Sequence, residues 1–286
     1  MQTRAFRLSL PDVQTTSVIF ASPHSGREYP RAFLRKSVLD ELAIRSSEDA
    51  FMDMLVSNAP SFGAPLLLAR MPRAFLDLNR AADELDPAVV EGVRQVSHNP
   101  RIASGLGVIP RVVSNGRAIY RGKLRHDEAK ARVIDYWHPY HSQLSGLVRE
   151  TLRNFGEAIL IDCHSMPHEA VDSVTQKGLA RPEVVLGDRF GASAGGQIVD
   201  RIEQIFLDAG LRVSRNAPFA GAFTTQHYGR PSQRQHAVQI EIDRALYMNE
   251  LRVRPNGNFD NFRALMSRII AELTEIGRKD LRVAAE

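Results

Sequence analysis

Two histidines stop two look-alike stretches. Val18-Ile19-Phe20-Ala21-Ser22-Pro23-His24-Ser25-Gly26 is an apolar run that ends at a His-Ser pair, and Ala158-Ile159-Leu160-Ile161-Asp162-Cys163-His164-Ser165 is another. Imidazole is the commonest metal ligand among side chains, so such a pair could hold one metal ion between them. Catalytic zinc takes three protein ligands and keeps a position for water, which leaves a carboxylate to be found. Glu28, Glu48 and Asp49 are the candidates near His24. Glu28 follows His24 by four residues, within reach of one loop. Glu48 and Asp49 stand where a helix is expected to open, and an acid there also has a plain role against the helix dipole. Asp162 lies two before His164 and could orient that ring from behind.

Glu241 is the next residue with chemical potential. It falls on the polar side of the alternating run Ala237-Val238-Gln239-Ile240-Glu241-Ile242-Asp243. It could be salt-bridged to Arg244, or it could be a general base that takes a proton from an attacking water and passes it to a leaving nitrogen. Asp77-Leu78-Asn79-Arg80 sets an amide and a guanidinium side by side. Arginine is the preferred two-pronged partner of a carboxylate, so Asn79 and Arg80 are expected at an anionic substrate group. Arg73, seven residues earlier, could face the carbonyl oxygen that becomes negative in the transition state. Each arginine could instead be an ordinary surface ion pair.

These residues need elements to hold them. Val18–Ser22, Pro65–Ala69, Ala158–Asp162, Pro182–Gly187, Leu211–Ser214 and Ala237–Asp243 have the length and composition of strands, several of them apolar throughout, as in parallel sheets covered on both faces. Residues 1–17 read as an edge strand or arm. Ser46 or Ser47 is expected to cap a helix bearing Phe51, Met54 and Leu55. Residues 125–154 have helical spacing, with Pro139 expected to kink or split them. Ser193–Ala209 and Asp260–Gly277 read as two further helices, whereas 215–236 shows only polar, glycine-bearing sequence. Strands alternating with helices imply an α/β fold, and ligands in such sheets bind beyond the carboxyl ends of the strands. With no linker and no repeat visible, residues 1–286 are expected to form one catalytic domain. Residues 81–124, rich in Gly and Pro and poorly periodic, are a possible insertion or lid.

Composition narrows the function. Hydrophobic content of 43% and charged content of 24% suit a soluble globular chain with a sizeable core. The net charge is +4, but the arginines are dispersed and form no phosphate-tracking run, which argues against nucleic acid. Cys163 is the only cysteine, so no intrachain disulfide can form, in keeping with a reducing, cytoplasmic setting. The N-terminal residues show no signal-peptide pattern, and no stretch nears the roughly 20 apolar residues of a membrane span. A serine hydrolase is disfavoured. Ser25 and Ser165 directly follow histidines, neighbours on a strand point to opposite faces, and no G-x-S-x-G elbow is present. A non-catalytic protein that holds an anion in a basic groove is the alternative of a different class.

The ordered set of motifs resembles the N-formylglutamate amidohydrolase family, within the zinc carboxypeptidase and aspartoacylase-like group. The matching pieces are Ser22-Pro23-His24-Ser25-Gly26, Glu48-Asp49 with Asp53, Asp77-Leu78-Asn79-Arg80, Tyr136-Trp137-His138-Pro139-Tyr140-His141, Asp162-Cys163-His164-Ser165-Met166 and the stretch from Gln239 to Met248. The resemblance implies a three-layer α/β/α sandwich around a mixed, mostly parallel sheet. It implies one zinc ion on His24, Asp49 and His164, with Asp49 preferred over Glu48 and Glu28. It implies Glu241 as the catalytic glutamate and supports Asn79 and Arg80 at the substrate carboxylate; Arg73 is expected to assist catalysis and Arg244 to contact the substrate. The implied reaction releases formate from N-formyl-L-glutamate or a similar small anionic N-acyl amino acid, with histidine degradation as its setting. A zinc carboxypeptidase, or a deacylase of other N-acyl amino acids, would use the same core residues. Two positions depart from the pattern: Ala50 replaces a frequent aromatic residue, and Arg27 stands where the wider group has the Glu of His-x-x-Glu.

Overall fold

The computed structural model describes residues 4–94, 99–172, 175 and 180–278. Seven strands build the central sheet: β1 (Phe6–Ser9), β2 (Val18–Ser22), β3 (Leu66–Ala69), β4 (Ala158–Met166), β5 (Val184–Gly187), β6 (Val213–Arg215) and β7 (Gln235–Asp243). Their order is β1-β3-β2-β4-β7-β5-β6. The pairs β2–β3, β2–β4, β4–β7 and β5–β6 are parallel, whereas β1–β3 and β5–β7 are antiparallel. The sheet is therefore mixed and mostly parallel. The expected edge strand is β1.

The helices are α1 (Arg31–Lys36), α2 (Met52–Leu55), α3 (Pro100–Ala103), α4 (His126–Arg132), α5 (His138–Phe155), α6 (Gly196–Asp208), α7 (Phe223–Tyr228) and α8 (Phe259–Glu275). Strand residues alternate between two covering layers, as the pleat requires. Ile19, Ala21, Ala158, Leu160 and Ala237 pack with Tyr140, Leu144, Leu147 and Val148 of α5. Val18, Phe20, Ile159, Ile161, Val238 and Ile240 pack with Val199, Ile202 and Phe206 of α6 and with Phe262, Met266, Ile269 and Leu273 of α8. The result is the three-layer α/β/α sandwich.

Four local expectations are corrected or sharpened. First, β4 continues past Asp162 to Met166, so His164 lies inside a strand. Pairing with β7 from Ala158↔Gln235 to Met166↔Asp243 supplies the backbone partners that carry the strand through its polar end. Second, Ser46 and Ser47 cap no helix. They belong to the 3-10 turn Ala43–Ser47; Glu48 is extended, Phe51 is left-handed (φ 65°), and α2 starts at Met52. Asp49 therefore opens no helix. Third, the split expected near Pro139 takes the form of a π-helical turn, not a break in the chain's helical course. That turn, Val133–Trp137, joins α4 to α5, and Pro139 is the second residue of α5. Fourth, the polar stretch 215–236 contains α7.

Residues 81–124 are not detached. Val89, Val90, Val108, Ile109, Val113, Ile119 and Leu124 are buried in the α5 layer. Residues 95–98 of this segment lie outside the described residues. Among the described residues no helix is long and apolar enough to cross a membrane.

Candidate active site

On the α5 side of the sheet, the N-terminal halves of β4 and β7 present Ala158, Leu160 and Ala237. Their C-terminal halves present Asp162, His164, Gln239 and Glu241 instead. The register sets Asp162 opposite Gln239 and His164 opposite Glu241. A cavity of about 640 Å³ opens over these residues. His24 enters from the loop after β2. That loop passes so close to the next crossing segment that a Cβ on Gly26 would lie 2.1 Å from the Met71 carbonyl oxygen. Asp49 is tied to the same loop, its N–H donating to the His24 carbonyl at 3.0 Å.

His24, Asp49 and His164 converge and are all buried. Asp49 Oδ2 lies 2.9 Å from His164 Nδ1 and 3.6 Å from His24 Nδ1. The far nitrogens are held by carboxylates: His24 Nε2 is 2.7 Å from Asp77 Oδ1, and His164 Nε2 is 3.0 Å from Asp162 Oδ2. A carboxylate only accepts, so each Nε2 carries a hydrogen, and so does His164 Nδ1 toward Asp49. Both Nδ1 atoms then face Asp49, and His24 Nδ1 is buried without a hydrogen-bond partner. Burial pulls the His164 imidazolium down, but Asp162 and Asp49 outweigh it and hold the pKa well above the usual histidine value. Burial pushes the Asp49 carboxyl up, yet its bond to His164 and the nearby His24 ring hold it well below the carboxylate range. A lone pair without a partner, a second imidazole and an ionised carboxylate, each ring braced from behind, suit a metal ion. The three residues could hold one, since their candidate ligand atoms all lie within 4.8 Å of one another.

The other two acids point elsewhere. Glu48 is ion-paired with Arg45 at 2.9 Å and accepts from the Tyr29 hydroxyl at 2.6 Å. Glu28 pairs with Arg70 at 2.6 Å.

Glu241 lines the cavity, with Gln239 Nε2 donating to its Oε1 at 2.8 Å. Burial pushes its carboxyl up to about 7; the His164 charge opposes this and Asp49 adds to it. The alternative role of Glu241, an ion pair with Arg244, is not adopted. Arg244 turns to Asp49 Oδ1 at 3.1 Å and to Ser165 Oγ at 3.1 Å, because three residues beyond Glu241 the chain has left the strand. Arg244 also lines the cavity. Arg73 Nε donates to Asp77 Oδ2 at 3.0 Å, and its side chain reaches the cavity wall.

Asn79 is buried at the junction of three elements. Its Oδ1 accepts from Thr224 N at 2.8 Å, and its Nδ2 lies 3.3 Å from Gln239 Oε1. Arg80 is buried beside it, and its Nε has no partner.

Sequence reasoning missed the brace behind this loop. Arg132 Nη1 donates to the Phe75 carbonyl at 2.9 Å, Trp137 Nε1 to the Arg80 carbonyl at 2.8 Å, and His141 Nε2 to the Leu78 carbonyl at 2.8 Å. Burial pulls His141 down to about 3, so it is neutral; with Nε2 donating, Nδ1 accepts from the Tyr228 hydroxyl at 2.9 Å. Trp137 is the last residue of the π-helical turn, and such turns recur near functional sites. The signal was the Tyr136–His141 motif, which carried no assigned role.

Comparisons with known proteins point to one family. Residues 16–248 match the N-formylglutamate amidohydrolase family. The chain is 29% identical over 237 residues to the N-formylglutamate deformylase of Pseudomonas aeruginosa, covering 82% of each chain. It is 27% identical to that of Pseudomonas putida over 236 residues, again with 82% of each covered. The crystal structure of N-formylglutamate amidohydrolase from Ralstonia eutropha JMP134 superposes with a TM-score of 0.89 at 32% identity, covering 96% of this chain and 99% of that one. The family match takes in His24, Asp49, His164 and Glu241 alike, and the chain belongs to the N-formylglutamate amidohydrolase family.

Proposed function

We propose that this chain, acting as one catalytic domain over residues 1–286, hydrolyses the N-formyl amide of N-formyl-L-glutamate, or of a similar N-acyl amino acid, to formate and the free amino acid. The observation that carries the reading is the convergence of His24 Nδ1, Asp49 Oδ2 and His164 Nδ1 in the cavity that Glu241 also faces. The names of the relatives from Pseudomonas and Ralstonia support the substrate.

His24, Asp49 and His164 would hold one zinc ion. When bound, that ion supplies a Lewis acid that polarises the acyl carbonyl and makes water a stronger acid. Glu241 takes the proton of the attacking water, and a carboxyl at about 7 is near the best strength for both accepting and returning it. Gln239 fixes one Glu241 oxygen and leaves the other to face the reaction. Glu241 then delivers the proton to the leaving nitrogen. Arg73 stabilises negative charge growing on the acyl oxygen, and Asp77 fixes its direction. Arg80, with Asn79 beside it, meets the substrate carboxylate. Arg244 holds Asp49 in place from the cavity wall. A small anionic substrate suits this cationic lining, and the buried thiol of Cys163 suits a cytoplasmic setting.

The test is metal content and formate release from N-formyl-L-glutamate by the purified protein. One zinc per chain, with activity lost on chelation and regained on adding zinc, is the expected result. Full activity after chelation refutes the metal reading. A panel of formyl, acetyl and peptide substrates separates the deformylase from a broader deacylase or a carboxypeptidase. Abolished turnover in a folded Glu241→Gln protein excludes a purely anion-binding role.

A further inference from the structure

The segment 81–124 brings one more cation to the cavity. Arg101 lies in α3, and its backbone is fixed on two sides. Asn99 Oδ1 accepts from Arg101 N at 2.9 Å, while Arg111, ion-paired with Asp86 at 2.9 Å, donates to the Ala103 carbonyl at 3.2 Å. The Arg101 side chain is exposed on the cavity wall, and Nη2 lies 3.4 Å from the Gly221 carbonyl.

Arg80 faces the same cavity, buried and with Nε lacking a partner. Among the described residues neither guanidinium has a carboxylate within ion-pairing distance, in contrast to Arg73 and Arg244. Burial pulls the Arg80 guanidinium down to about 10; Asp77 opposes this, and the charges of Arg101 and then Arg73 add to it. Arg80 directly follows Asn79, whose Nδ2 lies 3.3 Å from His164 Nε2, whereas Arg101 reaches the cavity wall at Gly221. Arg73 stands at the reacting end, because the Asp77 carboxylate that accepts from its Nε at 3.0 Å also holds His24 Nε2 at 2.7 Å. Two guanidinium groups in one cavity wall, with no ion-paired carboxylate among the described residues, suit anionic ligand groups.

An N-acyl amino dicarboxylic acid has three features in the same order: the acyl carbonyl, the carboxylate next to the scissile amide, and the side-chain carboxylate. We propose that Arg101 is a specificity-determining residue that binds the side-chain carboxylate of such a substrate, while Arg80 takes the carboxylate next to the amide. This assignment rests on amide hydrolysis at His24, Asp49 and His164. It gives residues 101–116, which line the cavity, a function as the wall that reads the substrate side chain.

The experiment compares the full-length protein with Arg101→Met and Arg101→Lys. The first readout is the ratio of kcat/KM for N-formyl-L-glutamate to that for N-formyl-L-glutamine, which differ in the side-chain charge. A charge-assisted contact predicts that Arg101→Met lowers this ratio by about 10- to 100-fold, mainly through KM, and that Arg101→Lys recovers part of it. An unchanged ratio in Arg101→Met overturns the proposal. The second readout is calorimetric titration with glutarate, a diacid, and butyrate, a monoacid. Arg101→Met is expected to lose the preference for glutarate. If the parent protein cleaves neither amide, the hydrolytic reading fails; equal glutarate preference in the parent and Arg101→Met proteins would still refute the role of Arg101 by itself. Because the side chain is exposed, the melting temperature is expected to stay unchanged, which separates recognition from folding.

Discussion

Asp77→Asn tests the brace behind the proposed metal centre. Asp77 is buried and serves three groups: Oδ1 is 2.7 Å from His24 Nε2 and 2.8 Å from the Asn79 N–H, and Oδ2 is 3.0 Å from Arg73 Nε. Burial would raise its carboxyl, but His24 and Arg73 hold it well below the usual range, so it is an anion at neutral pH. Asparagine has the same shape. Its Oδ1 can keep the His24 and Asn79 contacts, but its Nδ2 would meet Arg73 Nε donor to donor. The negative charge that makes His24 Nδ1 a better ligand is lost. Removing such a partner typically lowers metal affinity by about 10- to 100-fold, or about 1.4 to 2.7 kcal/mol. Competition for zinc against a chromophoric chelator at neutral pH reads this directly. With zinc in excess the variant should refill, yet kcat should stay below the parent value, because Arg73 has lost its tether. Asp162→Asn should act in the same direction through His164. A zinc affinity equal to the parent in Asp77→Asn would refute the assignment of His24 Nδ1 as a ligand braced from Nε2.

Glu241→Gln should lower kcat by about 10²- to 10⁴-fold without unfolding the protein, as measured by formate release and circular dichroism. Glu241 must be ionised to accept a proton and its carboxyl sits at about 7, so kcat/KM should rise with pH through that value; a flat profile across it would speak against this base. Trp137→Phe keeps an aromatic ring but removes the donor to the Arg80 carbonyl, so KM should rise by about 2- to 10-fold with kcat little changed. Phe206→Ala empties a fully buried position between α6 and the sheet and should lower stability by about 3 to 5 kcal/mol in urea unfolding.

The strands were legible because burial on both faces leaves apolar runs such as Val18–Phe20 and Ala158–Ile161, which no solvated segment would keep. Helix α8 was legible from its stripe of Phe262, Ile269 and Leu273 with a polar opposite face. The end of β4 was not, because Asp162, Cys163 and His164 have poor strand character and are held extended by pairing with Gln239–Glu241, some 75 residues later in the chain. Ser-Ser-Glu-Asp has the composition of a cap, which points Asp49 to a helix start. The histidines and Arg244 instead draw its carboxylate inward, and the chain turns left-handed at Phe51 before the helix begins. Asp162 was visible as a brace for His164 because the two are adjacent on one strand face, two residues apart. Asp77 and Arg101 were not, because their partners are distant in sequence and Arg101 comes from a segment without periodicity.

The nine-residue pairing of β4 with β7 makes the site a witness to folding. Side chains alternate along both strands, so a slip of one residue would turn Ile240 or Ile242 toward His164 and send Glu241 into the greasy layer under α6 and α8. No partly active arrangement lies between these two registers. A refolded population should therefore divide into molecules with full turnover and molecules with none, and specific activity after refolding should count the fraction whose two central strands met in step.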